Sequence, residues 1–397
     1  MTHSLDITQL SNLTWHIDAP IGFYHKEDGD PLQPWHESIV SEVALFSQFL
    51  LSQKSCKERP ELVALAYWCR RSNLKKMSSD YQQFTHSNHR QPMGKVFHIA
   101  PANVDTVFFY SLILSMLSGN KNIVRISERS GELCRQLIEL FQQFIQIQQP
   151  KLIPRLVAIV EYSATETATT ATFSQWCDLR VIWGGDSAIT AISAIEPSTK
   201  QLSFPDRYSI AVCQLNEEDN IKKVASAFVA DFLPFNQQAC SSPKALFWLD
   251  TPASLQTEFY QCLKVMLDTQ ENFKESHQVE RHINLQEILL ISDNQILAHQ
   301  FKSQLAHVEL QQINSEHLIA HQGNSLLLGK NIEGSAELPF HEKLQTISYY
   351  GIDKMQLELI NIEHGKRIVC FGSALTFNHI WDGVNLLASF SKIKFDS

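Results

Sequence analysis

The chain has 397 residues, 44% of them hydrophobic and 19% charged, with a formal net charge of −9. That length exceeds one small core and suits two or three domains of ordinary globular composition. The acidic balance argues against nucleic acid as the main partner, because a phosphate backbone selects basic surfaces. The opening MTHSLDITQL is polar and lacks a basic-then-apolar order, so no secretory signal is read there. The longest apolar run, VFFYSLILSML at 107–117, is too short to span a bilayer and reads as a buried helix. Eight cysteines without a CxxC pair fit reduced thiols in a cytoplasmic compartment, and not a structural zinc site.

Residues 1–90 read as a mostly helical region, with ELVALAYWCRRSNLKKM its clearest amphipathic piece. The pattern then changes. KVFHIA is an apolar strand, PANVD a loop, and Asp105 a helix N-cap. The helix runs to 118 and is closed by Gly119 and Asn120. NIVRIS and RLVAIVEY are strands, ETATTATFSQWC a helix, RVIWGG a strand ending at Asp186, and SAITAISAI a helix. Alternating strands and helices over 91–208 specify a parallel, doubly wound sheet. Ligands of such sheets bind beyond the carboxyl ends of the strands, which places Asn103, Ser127, Gly184 and Gly185 along a binding edge. A second α/β layer spans 209–370, with strands at YSIAVC, ALFWL and EILLIS and a helix leading to Cys240; a C-terminal segment, 371–397, follows.

Cys240 lies in FNQQACSSPKALFW, in a small polar loop that Pro243 closes before an apolar run. A structural cysteine sits inside the apolar run; this one sits ahead of it. A thiolate is a strong nucleophile and a good leaving group, so this position suits acyl transfer. The other seven cysteines stand among apolar or helical neighbours and read as small hydrophobes. In EHLIAH, His317 and His321 are four apart beside Glu316, and without a third ligand they read as a solvated helix face. His98 reads as a satisfied strand histidine, with a part in proton transfer as the alternative. No GxGxxG, GxSxG or P-loop is present. Gly184 and Gly185 serve equally as a tight turn or as a close approach to a pyrophosphate. On turn preferences alone, Asn103 is a turn residue after Pro101.

VFHIAPANV, SGNKNIVRIS, VIWGGD, NQQACSSP, LQTISYYG and KRIVCFGSALTFNHIWDG follow one another in this order. Together they resemble the long-chain acyl-CoA reductase family, the LuxC-type reductases of bacterial fatty acid reductase complexes. That family is a branch of the aldehyde dehydrogenase superfamily. The resemblance covers Glu61 to the C-terminus. It implies an aldehyde dehydrogenase-like fold, with a Rossmann-like cofactor sheet, a second α/β catalytic domain and a homo-oligomer. It implies NADPH-dependent reduction of a fatty acyl thioester, acyl-CoA or acyl-protein, to an aldehyde through an acyl group on Cys240. An acyl-transferring or synthetase subunit is the implied partner. Asn103 then matches the superfamily's oxyanion asparagine, and the Cys240 N–H is the other donor. Arg125, followed by Ser127, stands where relatives carry an adenosine-ribose lysine, and with Arg129 it suits a 2′-phosphate. WDG, 381–383, reads as a turn holding the C-terminal segment against the catalytic domain. In LSFPDRYSIAV, Ser203 stands where aldehyde-oxidising relatives carry a water-activating glutamate, with Asp206 offset. The competing readings are an aldehyde dehydrogenase that oxidises a small aldehyde, and a non-catalytic subunit of an acyl-transfer complex.

Overall fold

The computed structural model describes residues 10, 12–19, 23, 32–85, 90–100, 106–269, 275–292, 295–300, 304–361 and 366–394. The chain divides into two compact units, residues 1–205 with 377–397, and residues 206–376. Among the described residues no helix is long and apolar enough to cross a membrane.

The first unit is built on strands β1 (Thr14–Ile17), β2 (Arg90–Pro92), β3 (Lys95–Ile99), β4 (Lys121–Ile126), β5 (Val157–Glu161), β6 (Leu179–Trp183) and β7 (Gln201–Phe204). Six of them form one sheet in the order β1-β5-β4-β3-β6-β7, parallel except for β1. Strands buried on both faces read as near-continuous apolar runs, and β6 is buried throughout. Chain order reverses between β3 and β6, so the switch-point crevice opens beyond their carboxyl ends. The apolar run Val107–Leu117 is a helix with ten of its eleven residues buried, as its all-round hydrophobicity requires. It packs with helices Glu37–Ser52 and Glu132–Gln148, where Phe46 meets Phe109 at 5.7 Å, Phe141 at 5.2 Å and Phe144 at 5.1 Å. The helical region 37–85 thus shares one core with the sheet rather than standing as a separate layer.

The C-terminal residues 377–397 return to this first unit instead of closing the second. Trp381 of the WDG turn packs on Phe377 at 4.9 Å and Trp183 at 6.3 Å, so this turn belongs with the parallel sheet of the first unit and not with the second unit, against which it was expected. Residues Ser391–Ile393 pair with β2, and Arg90 donates to the carbonyl oxygens of Ala388 and Ser391.

The second unit holds a seven-stranded sheet of β8 (Tyr208–Cys213), β9 (Pro243–Leu249), β10 (Ile296–Gln300), β11 (Ala306–Leu310), β12 (Leu326–Ile332), β13 (Leu344–Tyr350) and β14 (Arg367–Cys370). Its order is β10-β11-β12-β9-β8-β13-β14, parallel apart from the edge pair β10–β11. β9 and β8 are central, and helix Ile221–Phe232 leads from β8 to the loop before β9. EILLIS, expected as a strand, instead ends helix Glu275–Ser292. Leu285, Ile288 and Ser292 are buried while Leu290 is 82% exposed, which is a helical stripe. A short apolar run does not by itself separate strand from helix.

Candidate active site

Cys240 sits in the loop that enters central strand β9. Three consecutive residues before it, Phe235, Asn236 and Gln237, have φ of +56°, +52° and +62°. Left-handed backbone costs a non-glycine residue about 1 kcal/mol or more, so this turn persists only if its surroundings hold it. They do so at several points. The Asn324 N–H donates to the Asn236 carbonyl at 2.7 Å. The Gln237 amide donates to the Pro243 carbonyl at 2.9 Å and to that of Leu326 at 2.7 Å. Gly323, at φ +85°, lets its backbone approach; a Cβ there would stand 2.9 Å from the carbonyl oxygens of Asn236 and Gln237.

The residues around the thiol are fixed as well. Ser209 Oγ donates to the Cys240 carbonyl at 2.7 Å and accepts from the Thr346 N–H at 3.2 Å. Ser241 Oγ donates to Gln345 Oε1 at 2.8 Å. Ser241 and Ser242 are buried, whereas Cys240 is only partly so. Of these three adjacent residues, Cys240 alone is partly exposed.

The other cysteines differ. All eight are reduced. Burial pushes the thiols of Cys56, Cys69, Cys213 and Cys262 up, and that of Cys177 up to about 12, away from the reactive thiolate form. Cys134 is buried beneath its helix, and Cys370 is exposed on the edge strand β14.

His317 and His321 are both buried, which corrects the solvated-face reading. His317 Nδ1 accepts from the Asn314 N–H, completing a capping box at the start of helix Ser315–Ala320. His321 Nε2 donates to the Leu326 carbonyl at 2.8 Å, and its Nδ1 accepts from the Gly323 N–H at 3.1 Å. Burial holds His321 down to about 3, so the ring is neutral. Among the described residues no group of three or more His, Cys, Asp or Glu could hold a metal ion.

In the first unit, the candidate cofactor residues lie at carboxyl ends of strands. Gly184 and Gly185 follow β6; the Gly184 N–H donates to the Phe204 carbonyl at 3.2 Å, and Gly185 caps helix Asp186–Ile195. Ser127 follows β4, is half-buried, and its Oγ accepts from the Arg129 N–H at 3.2 Å. Arg125 is 9% exposed, donates from Nη2 to the Tyr162 carbonyl at 2.9 Å and lies over the Tyr162 ring. Arg129 and Glu128, in the turn after β4, are exposed. Asn103 lies outside the described residues. His98 is fully buried between Asn122 Oδ1 at 3.0 Å and Ser111 Oγ at 3.4 Å, and burial holds it down to about 4, so it is a neutral core residue. Ser203 lies on β7, where its Oγ accepts from the Gln201 amide at 3.1 Å.

Gln237, Ser209, Lys244 and Gly323 are absent from the residues singled out in the sequence, where His321 appears only as part of a solvated helix face. Only Lys244 carried a visible signal, a cation within an otherwise apolar strand.

The two parallel sheets and their order form an aldehyde dehydrogenase-like α/β fold. Solved structures agree on this fold. A salicylaldehyde dehydrogenase from Pseudomonas putida G7 superposes with a TM-score of 0.64 at 13% identity, covering 91% of this chain and 85% of that one. An oxidoreductase from Marinobacter aquaeolei gives 0.64 at 10% identity, covering 92% and 86%. The chain belongs to the acyl-CoA reductase (LuxC) family, whose model matches residues 54–325. It is similar to the long-chain acyl-protein thioester reductase 2 of Photobacterium leiognathi, 26% identical over 160 residues, which is 40% of this chain and 32% of that protein. It is also similar to the long-chain acyl-protein thioester reductase of Aliivibrio fischeri, 23% identical over 161 residues, 40% of this chain and 33% of that one. The match thus spans about a third of the length of these curated relatives.

Proposed function

We propose that the protein reduces a fatty acyl thioester, acyl-CoA or acyl-protein, to an aldehyde through an acyl group held on Cys240. The observation that carries this reading is the loop geometry: a partly exposed cysteine that follows a tethered, left-handed turn, with its two neighbouring serines buried. Attack by the Cys240 sulfur on the thioester carbonyl forms a new thioester to the protein and expels the carrier thiolate, which takes up a proton. The Cys240 N–H and the Asn103 amide are the proposed donors to the oxyanion. Reduced nicotinamide, when bound, supplies the hydride that releases the aldehyde and returns the Cys240 thiolate.

NADPH is the proposed cofactor, held by Arg125, Ser127, Gly184 and Gly185 at the carboxyl ends of β4 and β6. The groups there suit it. Ser130 Oγ and Arg125 Nε are buried beside the end of β4 without a hydrogen-bond partner among the described residues, and Arg129 offers an exposed guanidinium to a 2′-phosphate. Arg125 shapes this edge through Tyr162, to which its Nη2 is committed. We further infer a cytoplasmic homo-oligomer served by an acyl-transferring subunit. A panel of acyl thioesters offered with NADPH tests the reading: aldehyde should appear in step with cofactor oxidation. Oxidation of added aldehydes, with none formed from thioesters, would favour an aldehyde dehydrogenase.

A further inference from the structure

Lys244 is a cation in a central parallel strand, among Ala245, Leu246, Phe247 and Trp248, all of them buried. A lysine in such a place destabilises the fold unless its charge is answered. Its Nζ donates to the Leu318 carbonyl at 3.0 Å and to the His321 carbonyl at 2.6 Å. Those are the last turn and C-cap of helix Ser315–Ala320, so the ammonium sits at the negative end of a short helix and is aimed by it. Carbonyl dipoles hold an ammonium but carry no net charge. The charged groups acting on it are Cys240 and Asp206, which attract, and Lys343, which repels. Asp206 is exposed and screened by solvent, whereas Cys240 stands four residues before Lys244 at the other end of one tight loop. His321, the remaining titratable group beside it, is neutral.

The same carbonyl framework fixes both partners. The Leu326 carbonyl accepts from Gln237 in the cysteine loop and from His321, and the His321 carbonyl accepts from Lys244. The cysteine loop and the lysine are therefore braced against a single segment, 321–326, and their mutual placement is built in.

We propose that Lys244 is a positioning residue whose ammonium, held by the Leu318 and His321 carbonyls, stabilises the Cys240 thiolate and so readies it for attack. The proposal rests on Cys240 being the nucleophile, and adds what makes it one at neutral pH. Proton loss from the thiol leaves a thiolate–ammonium pair; acylation removes the thiolate charge, and loss of the acyl group restores it. Burial holds Lys244 down to about 8, so the ammonium is present at neutral pH and is shed as pH rises past that value.

The test is the pH dependence of iodoacetamide alkylation at Cys240, followed by peptide mapping on the full chain. The wild-type midpoint should fall below the ordinary thiol value of about 8.5. Lys244→Met should raise it by about one unit, slowing alkylation at pH 7 roughly ten-fold, with the two rates converging above pH 8. Lys244→Arg should restore most of the wild-type profile, and Lys244→Gln gives the same comparison as Met should that variant fail to fold. Folded neutral variants with the wild-type midpoint, or a wild-type midpoint at or above 8.5, would overturn the proposal. Alkylation needs neither thioester nor cofactor. Its failure is therefore distinct from that of the nucleophile reading, which fails when Cys240→Ala still takes up an acyl group.

Discussion

The Gln237 side-chain amide donates to the Leu326 carbonyl at 2.7 Å, tying the turn before Cys240 to the first residue of a neighbouring central strand. The same amide reaches the Pro243 carbonyl on the far side of the cysteine, so one side chain brackets the loop. Gln237→Ala would remove this donor from the Pro243 and Leu326 carbonyls, at a cost of about 1–3 kcal/mol. The left-handed turn would relax, and acyl transfer to Cys240 should slow at least ten-fold. Denaturant titration and single-turnover labelling check the two effects. A Gln237→Ala chain of wild-type stability and labelling rate would show that this clamp is idle.

Asp231 supplies a pH dependence of known sign. It is buried, and it accepts from the Gly372 N–H at 2.7 Å and the Ala374 N–H at 2.8 Å. Burial raises its carboxyl to about 6, against the backbone donors and Arg367. The folded chain therefore holds this proton more tightly than the unfolded chain does. The associated stability is full below about pH 4 and is lost as pH rises through about 6, a change of roughly 3 kcal/mol. Asp231→Asn should remove that component. The difference between wild-type and variant denaturation free energies, measured from pH 4 to 7, should slope accordingly; a flat difference would contradict it.

Cofactor choice separates two arginines. Arg129 is exposed after β4, while Arg125 is committed to Tyr162. Arg129→Ala should raise KM for NADPH several-fold more than for NADH, since a guanidinium pairs with a 2′-phosphate. Arg125→Ala should lower stability by about 1–3 kcal/mol through its buried hydrogen bond and packing on Tyr162. Steady-state kinetics with both cofactors, beside thermal melts, distinguish these roles. Equal effects of Arg129→Ala on the two cofactors would remove the 2′-phosphate assignment.

The parallel sheet was legible because its strands are short apolar runs separated by helical periods. Val107–Leu117 and Tyr208–Cys213 form the elements their patterns specify. Cys240 was legible as a thiol displaced from the apolar run that follows it. Its supports were not. Gln237, Ser209 and His321 act through contacts 5 to 137 residues away in sequence, and no local pattern encodes such pairs. EILLIS misled because an apolar hexapeptide suits a strand as well as a helix end, and only the exposure of Leu290 separates them. Trp381 misled because nothing near it in sequence reveals that the chain returns to Trp183.

Water attack on the acyl group should be slow. β7 reads Gln-Leu-Ser-Phe, and we propose from the family resemblance that Ser203 stands where oxidising relatives carry a glutamate. A hydroxyl hydrogen-bonded to Gln201 is no base at neutral pH. Protein acylated without cofactor should thus keep its acyl group far longer than one catalytic turnover, as intact-mass spectrometry over time would reveal. Rapid loss of the acyl mass, with free acid appearing at the same rate, would place a base at the site and favour aldehyde oxidation.

The most direct measurement acylates the protein with a long-chain acyl-CoA in the absence of cofactor, maps the modified peptide, and then adds NADPH. The acyl mass should lie on Cys240, be absent from Cys240→Ala, and convert on NADPH addition to one equivalent of aldehyde per acyl group lost. Acyl mass on another residue, or aldehyde formed by the Cys240→Ala chain, would contradict a Cys240 acyl intermediate.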